Sequence, residues 1–260
     1  MASAAKGEVD KLKNAVLSGL RQVAGLRLAL GILAMAALVF VASVDPLVRQ
    51  FREMSVLPYG YHTEFVLTAL RSDTVAAFVP ILAVLPFAGS FVDDVKSKFA
   101  RFFLIRSSFP TYLVSRILVC FITGGFVAAA GALLSWGGAA LLFAPMEGME
   151  AYSDVSGDLW QTVGLLFLAG GLWAVAGMAM STLMESKYIA YASPFVLYYL
   201  LVILYERYFP NAYLIYPREW MNPSGLWPFG GWGPGILMAE LTLVFALIFV
   251  FRAGRRLMEL

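Results

Sequence analysis

Few side chains in this sequence have the type and spacing for covalent or metal chemistry. One histidine, His62, and one cysteine, Cys120, stand far apart, and no pair of His, Cys or carboxylate residues falls at metal-ligand spacing within an apolar run. Cys120, alone inside such a run, has no partner for an internal disulfide or a thiolate cluster. No glycine-rich phosphate loop closing on Gly-Lys-Ser/Thr occurs, so ATP is not bound by that route, and no serine or cysteine elbow is present. Glu147, Glu150, Asp154 and Asp158 are of the type used in general acid–base work, but acids scattered along one loop read as a solvated rim, and His62 reads as a solvated histidine. Glu240, seven residues into the last apolar run, has two open readings. It is a polar contact in a substrate path or subunit interface, or a carboxylate that reaches headgroups near the outer boundary. The expectation is a chain that is not an enzyme and holds no metal.

The framework that positions these groups is apolar. Of 260 residues, 60% are hydrophobic and 14% charged, with a mean hydropathy of +0.77, which is more apolar surface than a soluble core of this size buries. A helix needs about 20 apolar residues to cross the hydrocarbon of a bilayer. Six runs qualify, at 25–44, 74–92, 113–138, 160–184, 188–205 and 233–251. The sequence therefore predicts one all-α membrane domain over 1–260, multi-pass in the cell (plasma or inner) membrane, without a cleaved signal peptide.

Orientation follows from the basic residues, which accumulate on the cytoplasmic side of short loops. Arg49, Arg52, Arg71, Arg207 and Arg218 lie in one set of connections, and the remaining 14 of the 19 Lys and Arg lie in the other set and the two ends. Both termini are thus expected in the cytoplasm, with one face near +8 and the opposite face near −5. Before the first span, Val9, Leu12, Val16, Leu20 and Val23 recur at helical spacing, so 8–24 reads as an interfacial amphipathic helix or as an ordinary surface helix, with direct continuation into a span favouring the first. Arg27 and Arg116, one turn inside their spans, are explained by snorkelling. Gly170 with Ala174, Gly177 with Ser181 and Gly124 with Ala128 predict close helix packing, and Pro80, Pro86 and Pro194 predict bends.

Two connections stand out. Between the second and third spans, Lys96, Lys98, Arg101 and Arg106 alternate with Phe99, Phe102, Phe103, Leu104 and Ile105, a pattern that suits either anionic headgroups or a groove in a soluble partner. Residues 206–232, with four prolines and three tryptophans, are too broken for a spanning helix and too aromatic for a free loop, and predict a partly re-entrant outer segment.

This organisation resembles the permease subunit of ABC-2 type transporters, with the type V exporter fold. The run from Leu85 to Leu118 is similar to the family's stretch in which a second span ends at an acidic residue (Asp93 or Asp94). A short helix follows, then Arg106 with Ser107, Ser108 and Pro110, and then Tyr112 and Arg116 open the third span. Lys98 departs from the pattern, since many relatives place glycine after the acidic residue. The resemblance implies that Lys98, Phe99, Arg101, Phe102, Phe103, Ile105 and Arg106 couple to a separate cytosolic ABC ATPase that binds ATP and Mg. It also implies a second permease copy or paralogue, membrane lipids as surroundings, no nucleic acid, and export of an amphipathic or hydrophobic substrate such as a peptide, lipid or drug. A membrane scaffold or sensor partner and an intramembrane enzyme are the alternative readings.

Overall fold

A backbone surrounded by lipid must satisfy every N–H and C=O within its own segment, and the described residues of this chain are mostly helical. The computed structural model describes residues 2–43, 57–99, 108–148, 156–184, 186–225 and 227–258. In chain order the helices are α1 (Ala2–Val23), α2 (Leu26–Ala42), α3 (Tyr61–Leu70), α4 (Asp73–Val84), α5 (Ser90–Lys96), α6 (Phe109–Phe143), α7 (Ser156–Met184), α8 (Lys187–Arg207), α9 (Pro217–Met221) and α10 (Gly233–Met258). Among the described residues there is no strand, only an isolated bridge between Leu57 and Glu147. Four helices are long and apolar enough to cross a membrane, and up to six spans result if the bent pairs α1–α2 and α3–α4 each count as one.

The helix α7 forms the axis of the bundle. It packs against α6, α10, α8 and α4, and 78% of its most apolar window is buried, against 17% for α8 and 22% for α10. Small residues allow that density. An added Cβ at Gly124 would stand 2.7 Å from the Gly170 carbonyl oxygen, and one at Gly170 would stand 3.1 Å from Ala128 Cβ. The small residues of the third and fourth runs therefore meet face to face, as their spacing predicts. Gly177 performs the same service for α8, where a Cβ would come within 3.1 Å of Pro194 Cγ.

The run at 74–92 is not one helix. The α4 helix spans 12 residues, about 18 Å, too short to cross alone. A turn over 85–89 containing Pro86 separates it from α5, because proline has no N–H to continue the ladder. Nor is the connection before it a free loop, since α3 buries Tyr61, Phe65, Val66, Leu67 and Leu70 and meets α4 at 70°. Past the end of α8, residues 208–225 and 227–232 form short turns around α9, with Pro217, Trp220, Met221 and Trp227 buried. At the other end α1 turns 68° from α2 and lays Val16, Leu20 and Val23 against the start of α6.

Replacing Gly170 by Leu forces α6 and α7 apart. We expect a thermal midpoint in detergent lower by several degrees, with an overpacking cost of about 1–3 kcal/mol, whereas Gly137→Ala, in open space within α6, leaves the midpoint unchanged or raises it slightly. Thermal unfolding followed by size-exclusion fluorescence checks both.

Candidate functional site

Two buried charges of opposite sign meet where α5 packs on the first turns of α6. Tyr112 and Arg116 are four residues apart on α6 and so share a face, which is turned toward Asp94. Tyr112 donates its hydroxyl to Asp94 Oδ2 at 2.7 Å, and Arg116 forms an ion pair with the same oxygen. Both charged side chains are about 6% exposed. The guanidinium also lies over the rings of Phe87 and Tyr112, 5.2 and 5.3 Å from their centroids. Burial raises the Asp94 carboxyl above its usual range, against the pull of Arg116 and of the Tyr112 hydrogen bond, so its charge depends on those two partners. Arg116 is thus a buried, paired cation. Snorkelling does not describe it, because its partner comes from another helix and holds the head group inside.

Neighbouring groups tie this cluster to the rest of the bundle. Asp93, one residue earlier, pairs with Lys187 at the start of α8 in a half-exposed position. Ser97 closes α5 by donating its hydroxyl to the Asp93 carbonyl at 2.7 Å. Lys98 follows with φ +60°, and Phe99 is exposed beside a cavity of about 170 Å³ that Ala15, Ser18, Gln22 and Arg116 also line. Arg101, Phe102, Phe103, Ile105 and Arg106 lie outside the described residues.

At the far end of α6 a second polar group closes the fold. Glu147 accepts the backbone N–H of Gly60 at 3.0 Å and of His62 at 2.9 Å, and contacts His62 Nδ1 at 2.7 Å. Its side chain is 4% exposed, and the carboxylate caps the N-terminus of α3, where the helix dipole favours an anion. Burial pushes its carboxyl up, but the hydrogen bonds from His62 and Gly60 outweigh that and hold it below its ordinary value of 4.5. Neither His62 nor Glu147 is therefore a solvated side chain. Their partnership spans 85 residues of sequence, and no local pattern announces it. Asp158 pairs with Arg71, and Arg218 with Asp73, at exposed sites where such pairs contribute little; Glu150 and Asp154 lie outside the described residues.

Between these ends an apolar cavity of about 330 Å³ opens among α7, α8, α10 and the segment before α10. Trp173, stacked on Trp220 with ring centroids 5.9 Å apart, forms one wall, and Leu197, Leu201, Leu237 and Leu241 form others. Glu240 does not face it. This carboxylate is exposed on α10, on the side that carries Ile236, Leu243 and Leu247, and has no partner among the described residues. No group of three or more His, Cys, Asp and Glu suited to a metal occurs among the described residues. No protein-family model matches the chain, and neither a curated protein nor a solved structure matches it.

Two outcomes follow. Arg116→Met strands Asp94 in a buried site and should cost about 3–5 kcal/mol, while adding Asp94→Asn to it restores part of the loss; thermal midpoints of the single and double variants measure the difference. For Glu147, the folded protein binds fewer protons than the unfolded chain just below 4.5. The stability it contributes is complete above that pH and disappears as pH falls through the lowered folded value. Glu147→Gln should flatten that part of the curve of midpoint against pH.

Proposed function

We propose that the chain is the membrane-spanning permease subunit of an ABC-2 type transporter, with six spans, both termini cytoplasmic, α1 along the inner leaflet and residues 206–232 partly re-entrant at the outer face. One observation carries this reading. Asp94, Tyr112 and Arg116, drawn from the acidic end of the second span and the Tyr and basic opening of the third, converge on a single buried cluster. Lys98 adds support. It stands where many relatives have glycine, and its backbone occupies the left-handed region that glycine adopts without cost.

The cluster also fits the work that reading requires. Asp94 and Arg116 join the two ends of the segment that would meet the ATPase, and Asp93 with Lys187 joins it to α8. A push on residues near Lys98 to Arg106 is then delivered to the second, third and fifth spans together. ATP and Mg, bound by the partner subunit, drive the change only if they favour one arrangement over the other. In a pair of permease subunits, Glu240 on its exposed face becomes an interface group, since a carboxylate turned to lipid is costly. The apolar lining of the cavity beside Trp173 suits export of an amphipathic or hydrophobic substrate.

The test is capture of the tagged chain from its native membrane. A phosphate-loop ATPase should co-purify, and Phe102→Asp with Phe103→Asp should reduce its recovery at least tenfold while the chain itself remains folded. Equal recovery from the variant, or no ATPase with the unmodified chain, overturns the assignment.

A further inference from the structure

The bend between α1 and α2 borders a half-open cavity of about 370 Å³, lined on its other sides by the turn at Pro86, by α5 and by α8. Its polar lining divides into groups already engaged and groups left free. Asp94 is held by Arg116 and Tyr112, and Asp93 by Lys187. Ser90 Oγ is buried without a hydrogen-bond partner, and neither the Arg27 guanidinium nor the Tyr191 hydroxyl has a partner among the described residues. Gly89 makes room for that hydroxyl, because a Cβ there would stand 3.0 Å from Tyr191 Oη. The free groups are thus a cation, two hydroxyls and the Gln22 carboxamide, whose donors suit a phosphate oxygen. The cavity's volume falls in the range of small-molecule sites, about 300–1,000 Å³, which leaves room for a phosphate ester.

The surroundings distinguish a lipid from a soluble anion. Leu26 lines the cavity, and Leu30 and Leu33 continue from it along one exposed face of α2. Polar donors at the level of the in-plane helix α1, followed by an apolar stripe running along the span, match a headgroup followed by acyl chains. We propose that the elbow between α1 and α2 binds the phosphate of a phospholipid from the leaflet in which α1 lies, with Arg27, Tyr191 and Ser90 as donors. This inference rests on the interfacial placement of α1 within the proposed topology and not on coupling to an ATPase.

Native mass spectrometry of the full chain, purified in detergent without any ATPase, tests it with three probes: dioctanoyl phosphatidylglycerol, dioctanoylglycerol and inorganic phosphate. The phospholipid should be retained and the diacylglycerol lost. Arg27→Gln and Tyr191→Phe should each reduce retention about tenfold, with Arg27→Lys close to the unmodified chain. Equal retention of dioctanoylglycerol, or retention unchanged in Arg27→Gln, overturns the proposal. Displacement of the phospholipid by an equimolar amount of inorganic phosphate overturns it too, by assigning the cavity to a soluble anion. Should Arg27→Gln fail to fold, Tyr191→Phe, which removes a single hydroxyl, decides alone. Because no ATPase is present, failure here leaves the transporter reading standing, and failure to capture an ATPase leaves the lipid site standing.

Discussion

A charge buried in a helical bundle must find its opposite, and the Asp94–Arg116 pair is where this protein meets that condition. Much of the surrounding geometry follows from it. The α5 helix must close against the first turns of α6, so the chain has to turn near Pro86 and re-aim the residues that follow α4. Tyr112 must stand one turn before Arg116 to satisfy the same oxygen. Phe87 and Tyr112 then supply ring faces in place of the water that the guanidinium gives up. A buried ion pair of this kind adds little net stability, but losing one member is severe, so its effect is to define a single arrangement of three segments.

Legibility in the sequence followed the range of the interactions. Apolar runs are local, and they marked α6, α7, α8 and α10 to within a few residues at most ends, although α6 extends past both limits of its run and α10 past the end of its own. The pairing of Gly124 and Gly170 was readable as two separate packing faces, and the structure brings the two together. The break in the second span was signalled by Pro86 but not located by it. The burial of α3 was hidden because a segment of 10 residues is too short to register as a spanning run. His62 and Glu147 were misread for the same reason, since neither has a partner within its own neighbourhood. The Asp94 cluster lies between these cases. Tyr112 and Arg116 are visible as a helical pair, but nothing local says which acid they meet.

The bundle is unevenly filled. The axis, α7, is enclosed on nearly every side, while α8 and α10 present most of their apolar surface outward. Such a layout concentrates rigidity in α6 and α7 and leaves the flanking helices free of tight neighbours on one face. The cavity beside Trp173 lies at that margin, bounded by one well-packed helix and two sparsely covered ones. Its volume is therefore the feature most easily changed by movement of α8 or α10, whereas the clusters at either end of α6 are fixed by hydrogen bonds.

The reach of the Glu147 latch also sets an order of events during synthesis. The first amides of α3 emerge from the ribosome 85 or more residues before the carboxylate that caps them. At about 5–20 residues per second the wait is roughly 4 to 17 seconds. Through that interval the helix start at Gly60 and His62 is uncapped, and the partner helix against which Phe65 and Tyr61 pack has yet to be made in full. Nascent chains therefore pass through a stage in which the start of α3 lacks its cap, and that stage ends only when Glu147, four residues past the end of α6, has been made.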